Sequence, residues 1–125
     1  MSSAADPSWS ELKQAVTMVV EALESMQVQF GICGGAAVAL WTDQQMFQFR
    51  MTRDIDLIVQ PDESRQIDAE AVSEKLLRDF PSQFEAVDQF GVMIPAARIT
   101  RPNGTKVLVE VEMFDLALSP AIRPQ

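Results

Sequence analysis

The chain has 125 residues, carries 10 Lys and Arg against 18 Asp and Glu for a formal net charge of −8, and contains one Cys and no His. The absence of His excludes Ser-His-Asp and Cys-His nucleophilic relays, and a single Cys excludes an internal disulfide and a thiolate zinc site. Any catalysis must therefore use carboxylates, Lys or Arg, hydroxyl groups and backbone amides. Any bound metal would be a hard cation held by oxygen, such as Mg²⁺ or Mn²⁺.

Length and charge favour one globular domain. Typical domains contain roughly 100–200 residues, so we expect a single domain over residues 1–125 with loose tails at 1–8 and 119–125. The acidic balance disfavours a general nucleic-acid binder, because phosphate binding needs clustered Lys and Arg. The chain starts without a basic and apolar leader, and no apolar stretch approaches the roughly 20 residues that span a bilayer. We therefore expect a soluble, cytoplasmic protein with no membrane contact.

The first predicted element is an amphipathic helix from Trp9 to Ser25. Ser8 and Glu11 have the spacing of a capping box, and apolar residues follow at three- and four-residue intervals. The apolar run Val28–Cys33 then predicts a short buried strand.

A glycine pair, Gly34 and Gly35, ends this strand and precedes the helix-forming run Ala36–Trp41. Two glycines permit a sharp turn and a close approach to a ligand, and the following helix N-terminus offers free N–H groups to phosphate. The alternative is a plain strand-to-helix turn, since the spacing matches neither the Walker loop nor the dinucleotide fingerprint. Residues 44–49 are compatible with a helix end or a loop.

The segment Asp54–Val59 predicts the next strand, with carboxylates at its start and buried apolar residues after them. Asp54 and Asp56 project from the same side of a strand, with Cβ atoms roughly 6–7 Å apart. Such a pair can hold one hard cation or a pair of cations. The alternative is a strand start at the solvent rim, with Arg50 and Arg53 as counter-charges.

A helix should follow, starting at Ser64 or Asp68 and ending at Phe80, ahead of Pro81. The candidates for its inner face are Ile67, Ala71, Leu76, Leu77 and Phe80.

The last part of the chain predicts strands. Residues 85–94 predict at most a short strand, whereas Asn103-Gly104 between Ala96–Thr100 and Lys106–Phe114 signals a hairpin. Alternation in the second of these strands places Glu110 and Glu112 on one face, as a third carboxylate position or simply a solvated face. The order α-β-α-β-α-(β)-β-β predicts an α+β (or α/β) fold, a mixed β-sheet flanked by helices.

In combination, these motifs resemble the nucleotidyltransferase fold, the DNA polymerase β-like superfamily. That pattern has a glycine pair before a helix, Asp-x-Asp on the next strand and a distant acid on a later strand. Residues 50–57, Arg-Met-Thr-Arg-Asp-Ile-Asp-Leu, are similar to the Arg-x-(Thr/Ser)-x-Asp-Ile-Asp-Leu stretch of its small branch, which includes abortive-infection and toxin–antitoxin transferases. The resemblance covers about residues 28–60 and, more loosely, the hairpin to about residue 115, and implies a minimal nucleotidyltransferase fold.

The resemblance also implies an activity, namely metal-dependent transfer of a nucleoside monophosphate from a nucleoside triphosphate, such as ATP, to a hydroxyl or phosphate acceptor. Asp54 and Asp56 would be catalytic ligands of Mg²⁺ or Mn²⁺. Glu112, or failing that Glu110, would be the third acid, as a further metal ligand or as the group that activates the acceptor.

The same resemblance implies that Gly34 and Gly35 contact the nucleotide phosphates, and that Arg50 and Thr52 support the metal strand or the phosphates. The acidic charge favours a small-molecule or protein acceptor over long nucleic acid. The chain ends soon after the third acid, where many members of the superfamily continue into a helical part. This suggests a minimal or trimmed enzyme, a protein in which a partner chain or a homodimer completes the site, or one that has lost turnover.

Two other functions fit part of the pattern. One is a binding or regulatory module with this fold and no turnover. The other is a glycosyltransferase, in which Asp-x-Asp holds Mn²⁺ and a nucleotide-sugar. Glycosyltransferase domains are usually much longer, and that reading leaves Gly34 and Gly35 unexplained.

Overall fold

The computed structural model describes residues 6–33 and 54–117, which form two α-helices and five strands. The α-helices are α1 (Trp9–Ser25) and α2 (Ala69–Asp79), and a short 3₁₀ helix spans Glu63–Arg65. The strands are β1 (Phe30–Cys33), β2 (Asp54–Val59), β3 (Phe84–Gln89), β4 (Val92–Thr100) and β5 (Lys106–Asp115). Within these ranges, neither α-helix has the length and apolar character needed to cross a bilayer.

The strands form one open sheet in the order β1-β2-β5-β4-β3. Only the central pair, β2 and β5, is parallel within the described sheet, and the other three pairs are antiparallel. A parallel pair needs a long connection, which here runs through α2 and the β3–β4 hairpin. The predicted mixed sheet and α+β class are confirmed.

The core lies between the two helices and one face of the sheet. Alternate residues of each central strand point into it, so that Ile55, Leu57 and Val59 of β2 are fully buried beside Val107, Val109 and Val111 of β5. The helices contribute Leu12, Val19, Leu23, Val72 and Leu76. The intervening strand residues therefore face away from the helices, on what we call the open face.

Helix α1 has the predicted bounds and the predicted capping box. The Ser8 hydroxyl accepts from Glu11 N at 3.1 Å, and Glu11 Oε1 accepts from Ser8 N at 2.9 Å. The Arg101 guanidinium donates to both Glu11 oxygens at 2.8 Å and to the backbone oxygen of Asp6 at 2.9 Å. The chain is thus attached to the sheet from Asp6 onwards. The hydrogen bonds from Arg101 and from the Ser8 backbone lower the pKa of Glu11 to about 2.

Helix α2 begins at the second of its two predicted starts. Asp68 is the N-cap, and its carboxylate accepts from Ala71 N at 2.8 Å, whereas Ser64 lies in the preceding 3₁₀ turn. The predicted inner face is only partly right. Leu76 is fully buried, and Ile67, Leu77 and Phe80 are half-buried against the core. The prediction omitted Ala69 and Val72, which are buried.

The first strand differs from its prediction. The strand β1 spans Phe30–Cys33 rather than starting at Val28, and its residues are half-buried or exposed. The cause is its place in the sheet: within the described chain, β1 pairs with β2 alone and so forms an edge. The expectation of a buried strand was wrong because an apolar run does not show which strand is an edge.

A second correction concerns residues 85–94, which form two strands rather than one weak strand. The strand β3 ends at Gln89, β4 begins at Val92, and the two pair through a two-residue turn. Phe90 and Gly91 have φ angles of 53° and 87°, the positive values of a type I′ turn. The strand expected from Ala96 therefore begins four residues earlier.

The hairpin predicted at Asn103-Gly104 is confirmed, with Thr100 opposite Lys106 and a φ of 90° at Gly104. The predicted glycine turn, the helix expected at 36–41 and the ambiguous residues 44–49 lie outside the described residues.

Candidate metal centre

The parallel pairing of β2 and β5 brings four carboxylates to the centre of the open face. In the register of this pair, Asp54 lies opposite Glu110 and Asp56 lies opposite Glu112. Neighbouring strands are roughly 4.8 Å apart, so residues in register are side-by-side neighbours. Because Ile55 is buried in the core, the side chains on either side of it must point to the open face.

Three of these residues converge. Asp54, Asp56 and Glu112 each offer a carboxylate oxygen, and the three oxygens lie within 4.8 Å of one another. All three residues are half-buried. We call them the acidic triad. A group of oxygen ligands without nitrogen or sulfur suits a hard cation such as Mg²⁺ or Mn²⁺, and the described site therefore fits the metal type expected from the sequence.

The charges of the triad oppose one another. Burial, and then the nearby negative charge of Asp54, raise the pKa of Asp56 above its usual value. A hydrogen bond from Gln89 lowers the pKa of Glu112, but burial and the carboxyl group of Asp54 outweigh it, and the pKa of Glu112 is raised. Carboxyl groups this close together resist full ionisation because their negative charges repel, and a bound cation would neutralise that repulsion.

The structure distinguishes the two glutamates that the sequence left open. Glu112 joins the triad, whereas Glu110 is not part of that group of oxygens. Both remain linked, because Gln89 Nε2 donates to Glu110 Oε1 at 3.2 Å and to Glu112 Oε2 at 2.9 Å.

Gln89 is the site residue that the sequence did not reveal. It ends β3, a segment predicted only weakly as a strand, and it belongs to no motif. Its position beside the glutamates depends on the sheet order, which places β3 two strands away from β5. We find no local sequence signal that would have identified it.

The four residues predicted to bind the nucleotide, Gly34, Gly35, Arg50 and Thr52, lie outside the described residues. The described chain does lead up to them. Cys33, which immediately precedes the glycine pair, lies opposite Asp56 in the β1–β2 ladder, and its Sγ lies 3.5 Å from the backbone oxygen of Asp56.

A known structure is similar to this chain in fold. The crystal structure of an antigenic nucleotidyltransferase-like protein from Paracoccidioides brasiliensis superposes on this chain with a TM-score of 0.79 and 42% sequence identity. The match covers 89% of this chain and 49% of that one, so the chain spans about half the length of that protein. No family model matches the chain, and no curated protein matches it.

This similarity identifies the class of fold. An α+β domain with a five-stranded mixed sheet, similar over most of its length to a nucleotidyltransferase-like protein, has the nucleotidyltransferase fold. The fold expected from the sequence is therefore confirmed, whereas the abortive-infection branch remains a prediction.

Proposed function

We propose that this chain is a metal-dependent nucleotidyltransferase, which moves a nucleoside monophosphate from a nucleoside triphosphate such as ATP to a hydroxyl or phosphate acceptor. One observation carries the proposal: oxygens of Asp54, Asp56 and Glu112 lie within 4.8 Å of one another on a nucleotidyltransferase fold. This class of reaction needs a cation beside the triphosphate and needs no histidine.

In this proposal, Asp54, Asp56 and Glu112 would hold Mg²⁺ or Mn²⁺. When bound, the cation supplies Lewis-acid stabilisation of the charge on the phosphate oxygens. The acceptor oxygen forms a bond to the α-phosphorus, the bond to the β-phosphate oxygen breaks, and pyrophosphate leaves. The proton of an acceptor hydroxyl would pass to a carboxylate of the site, and Glu112 is the candidate that the sequence pattern offers for this role.

The nucleotide contacts of the proposal come from the sequence pattern. Gly34 and Gly35 would approach the phosphates with backbone N–H groups, and Arg50 and Thr52 would bind the phosphates or support the strand that carries the acids. The position of Cys33 opposite Asp56 supports this assignment, since the glycine pair follows Cys33 directly.

The acceptor that we propose is a small molecule or a protein rather than a long nucleic acid. The net charge of −8 and the four carboxylates of the open face repel an extended polyanion. We place the protein in the cytoplasm, where nucleoside triphosphates and Mg²⁺ are available. A second chain or a second copy of this chain would complete the acceptor side of the site.

The test is a transfer assay with nucleoside triphosphates labelled at the α-phosphate, in Mg²⁺, against a panel of hydroxyl-bearing acceptors. Asp54→Asn and Asp56→Asn keep the side-chain shape and remove the charge. Loss of a metal contact worth several kcal/mol should slow transfer by about a hundredfold or more. Asp79→Asn is the matched control, because Asp79 is exposed at the end of α2 and pairs only with Arg78 among the described ion pairs.

The outcomes of this assay distinguish an active transferase from a regulatory module and test the proposed metal site. Transfer that falls in both triad variants and not in the control supports the proposal. Metal–nucleotide binding without transfer to any acceptor would favour the regulatory-module reading. Metal–nucleotide binding that survives both triad substitutions would contradict the proposed site.

A further inference from the structure

The side chain of Gln89 connects two glutamates that lie two strands away. Gln89 is the last residue of β3, and β4 separates it from β5. Its Nε2 donates at 2.9 Å to Glu112 and at 3.2 Å to Glu110. An ionised carboxylate only accepts hydrogen bonds, so the nitrogen rather than the oxygen of the amide must face these groups. Each of its two hydrogens therefore serves one glutamate.

A neutral donor suits this position for an electrostatic reason. Lys or Arg would hold Glu112 equally well, but would also cancel the negative charge that attracts a cation. The Gln89 amide orients the carboxylate and leaves its charge intact. Without this contact, repulsion from Asp54 and Asp56 would favour rotation of Glu112 away from the triad.

The backbone holds Gln89 in place. The Phe90–Gly91 turn fixes Gln89 opposite Val92. The Asp88 carboxylate accepts from Gly91 N at 2.8 Å and closes the turn. The amide thus extends from a fixed point on a short, hydrogen-bonded hairpin rather than from a loop.

We propose that Gln89 is the positioning residue that makes Glu112, rather than Glu110, the third ligand of the cation. The amide engages Glu112 at Oε2, and it holds Glu110, which lies outside the triad, by its other hydrogen. This inference rests on the proposed function, because it assumes that the triad binds a cation. It assigns Gln89 no contact with the substrate.

The test measures Mn²⁺ affinity by electron paramagnetic resonance on the full chain without nucleotide. Gln89→Met keeps the length of the side chain and removes both donors. Loss of a residue that orients a metal ligand typically weakens metal affinity about 10–100-fold, and we expect a decrease in that range. Gln89→Asn, whose amide is one methylene too short to reach, should act in the same direction.

Gln83→Met is the matched control. Gln83 is half-buried just before β3, and its described hydrogen bonds, to Phe80 and from Arg98, are made by its backbone. The same exchange of side chain there should leave Mn²⁺ affinity unchanged. Thermal unfolding of each variant shows that the compared proteins are folded.

A double-mutant cycle separates positioning from general stability. If Gln89 acts through Glu112, Gln89→Met should weaken Mn²⁺ binding no further in a Glu112→Gln background. A change of less than about twofold on Gln89→Met, in a wild-type chain that binds Mn²⁺, would overturn this inference and leave the proposed function standing. A wild-type chain that binds no Mn²⁺ would overturn both.

Discussion

Asp56 on β2 lies directly opposite Glu112 on the parallel strand β5. Both carboxyl groups have a raised pKa, Asp56 through burial and then Asp54, and Glu112 through burial and Asp54 against the lowering effect of Gln89. Two adjacent acids in the middle of a sheet cost stability unless a positive group joins them. This cost is our physical reason for assigning the open face to a cation.

Removing one charge from the triad should stabilise the metal-free protein. Two unit charges 4.8 Å apart repel by about 3 kcal/mol at an effective dielectric of 20, and solvent screening of a half-buried group reduces this to about 1 kcal/mol. We therefore expect Asp56→Asn to raise the free energy of unfolding in EDTA by about that amount, measured by urea denaturation at pH 7.5. The raised pKa of Asp56 gives the direction of this change. A carboxyl group whose pKa is higher in the folded protein than in the unfolded chain destabilises the folded protein once the pH has risen through the folded-state pKa.

Mg²⁺ should make the wild-type chain more stable than Asp56→Asn. Saturating Mg²⁺ should stabilise the wild-type chain and leave Asp56→Asn unchanged, because a ligand stabilises only the state that binds it. If Asp56→Asn is less stable than the wild-type chain in EDTA, repulsion among the three carboxylates does not destabilise the metal-free protein.

The two glutamates of β5 should behave differently. Glu112 belongs to the acidic triad and Glu110 does not, so Glu112→Gln should weaken Mn²⁺ binding by at least about tenfold and Glu110→Gln by less than about threefold. Isothermal titration calorimetry of both variants gives the comparison, and each serves as the control for the other. A larger loss in Glu110→Gln would mean that the wrong glutamate has been assigned to the metal.

The ion pair between Glu11 and Arg101 should make stability fall on acidification. The pKa of Glu11 is about 2 in the folded protein, below its usual 4.5, so its contribution is complete above pH 4.5 and is lost as the pH falls from there through about 2. We expect Glu11→Gln to cost about 1 kcal/mol at pH 7, an amount that shrinks by pH 3. Unfolding curves at both pH values test this, and an equal cost at both would exclude the ion pair as the cause.

The turn between β3 and β4 offers a stabilising substitution. Phe90 has a positive φ of 53° and a fully exposed side chain, so it bears backbone strain without burying its ring. Asn adopts this conformation readily and is favoured in type I′ turns, so Phe90→Asn should raise the free energy of unfolding by about 0.5–1 kcal/mol.

Gly91→Ala is the complementary change in the same turn. The φ of 87° at Gly91 suits glycine, so this substitution should destabilise the protein by about 1 kcal/mol, although a Cβ there meets no atom within 4 Å. A higher melting temperature for Phe90→Asn and a lower one for Gly91→Ala would confirm the type I′ turn. Shifts of the same sign and size in both variants would contradict it.

Local signals made much of the fold predictable. The capping box at Ser8 located the first residue of α1, Asn103-Gly104 located the second hairpin, and the alternation of β5 separated its core face from its acidic face. Each signal lies within a few residues of the feature that it predicts. The common orientation of Asp54 and Asp56 was likewise predictable from the sequence, because residues two positions apart in a strand share a face.

The parts that were missed depend on the sheet as a whole. The edge position of β1 and the choice of Glu112 over Glu110 follow from strand order and register, which no single segment encodes. The first hairpin was missed because Phe90-Gly91 lacks the Asn-Gly or Asp-Gly signature of its turn type. The role of Gln89 could not be predicted, because its hydrogen-bond partners lie on β5, a later strand that β4 separates from β3 in the sheet.

The most direct test of the central claim is the position of a bound cation. Anomalous diffraction from crystals soaked in Mn²⁺ locates the ion independently of any activity. We predict an anomalous peak between Asp54, Asp56 and Glu112, with metal–oxygen distances of about 2.0–2.2 Å. Strong Mn²⁺ peaks elsewhere on the protein, with none at these three carboxylates, would contradict the assignment of this face as a metal centre.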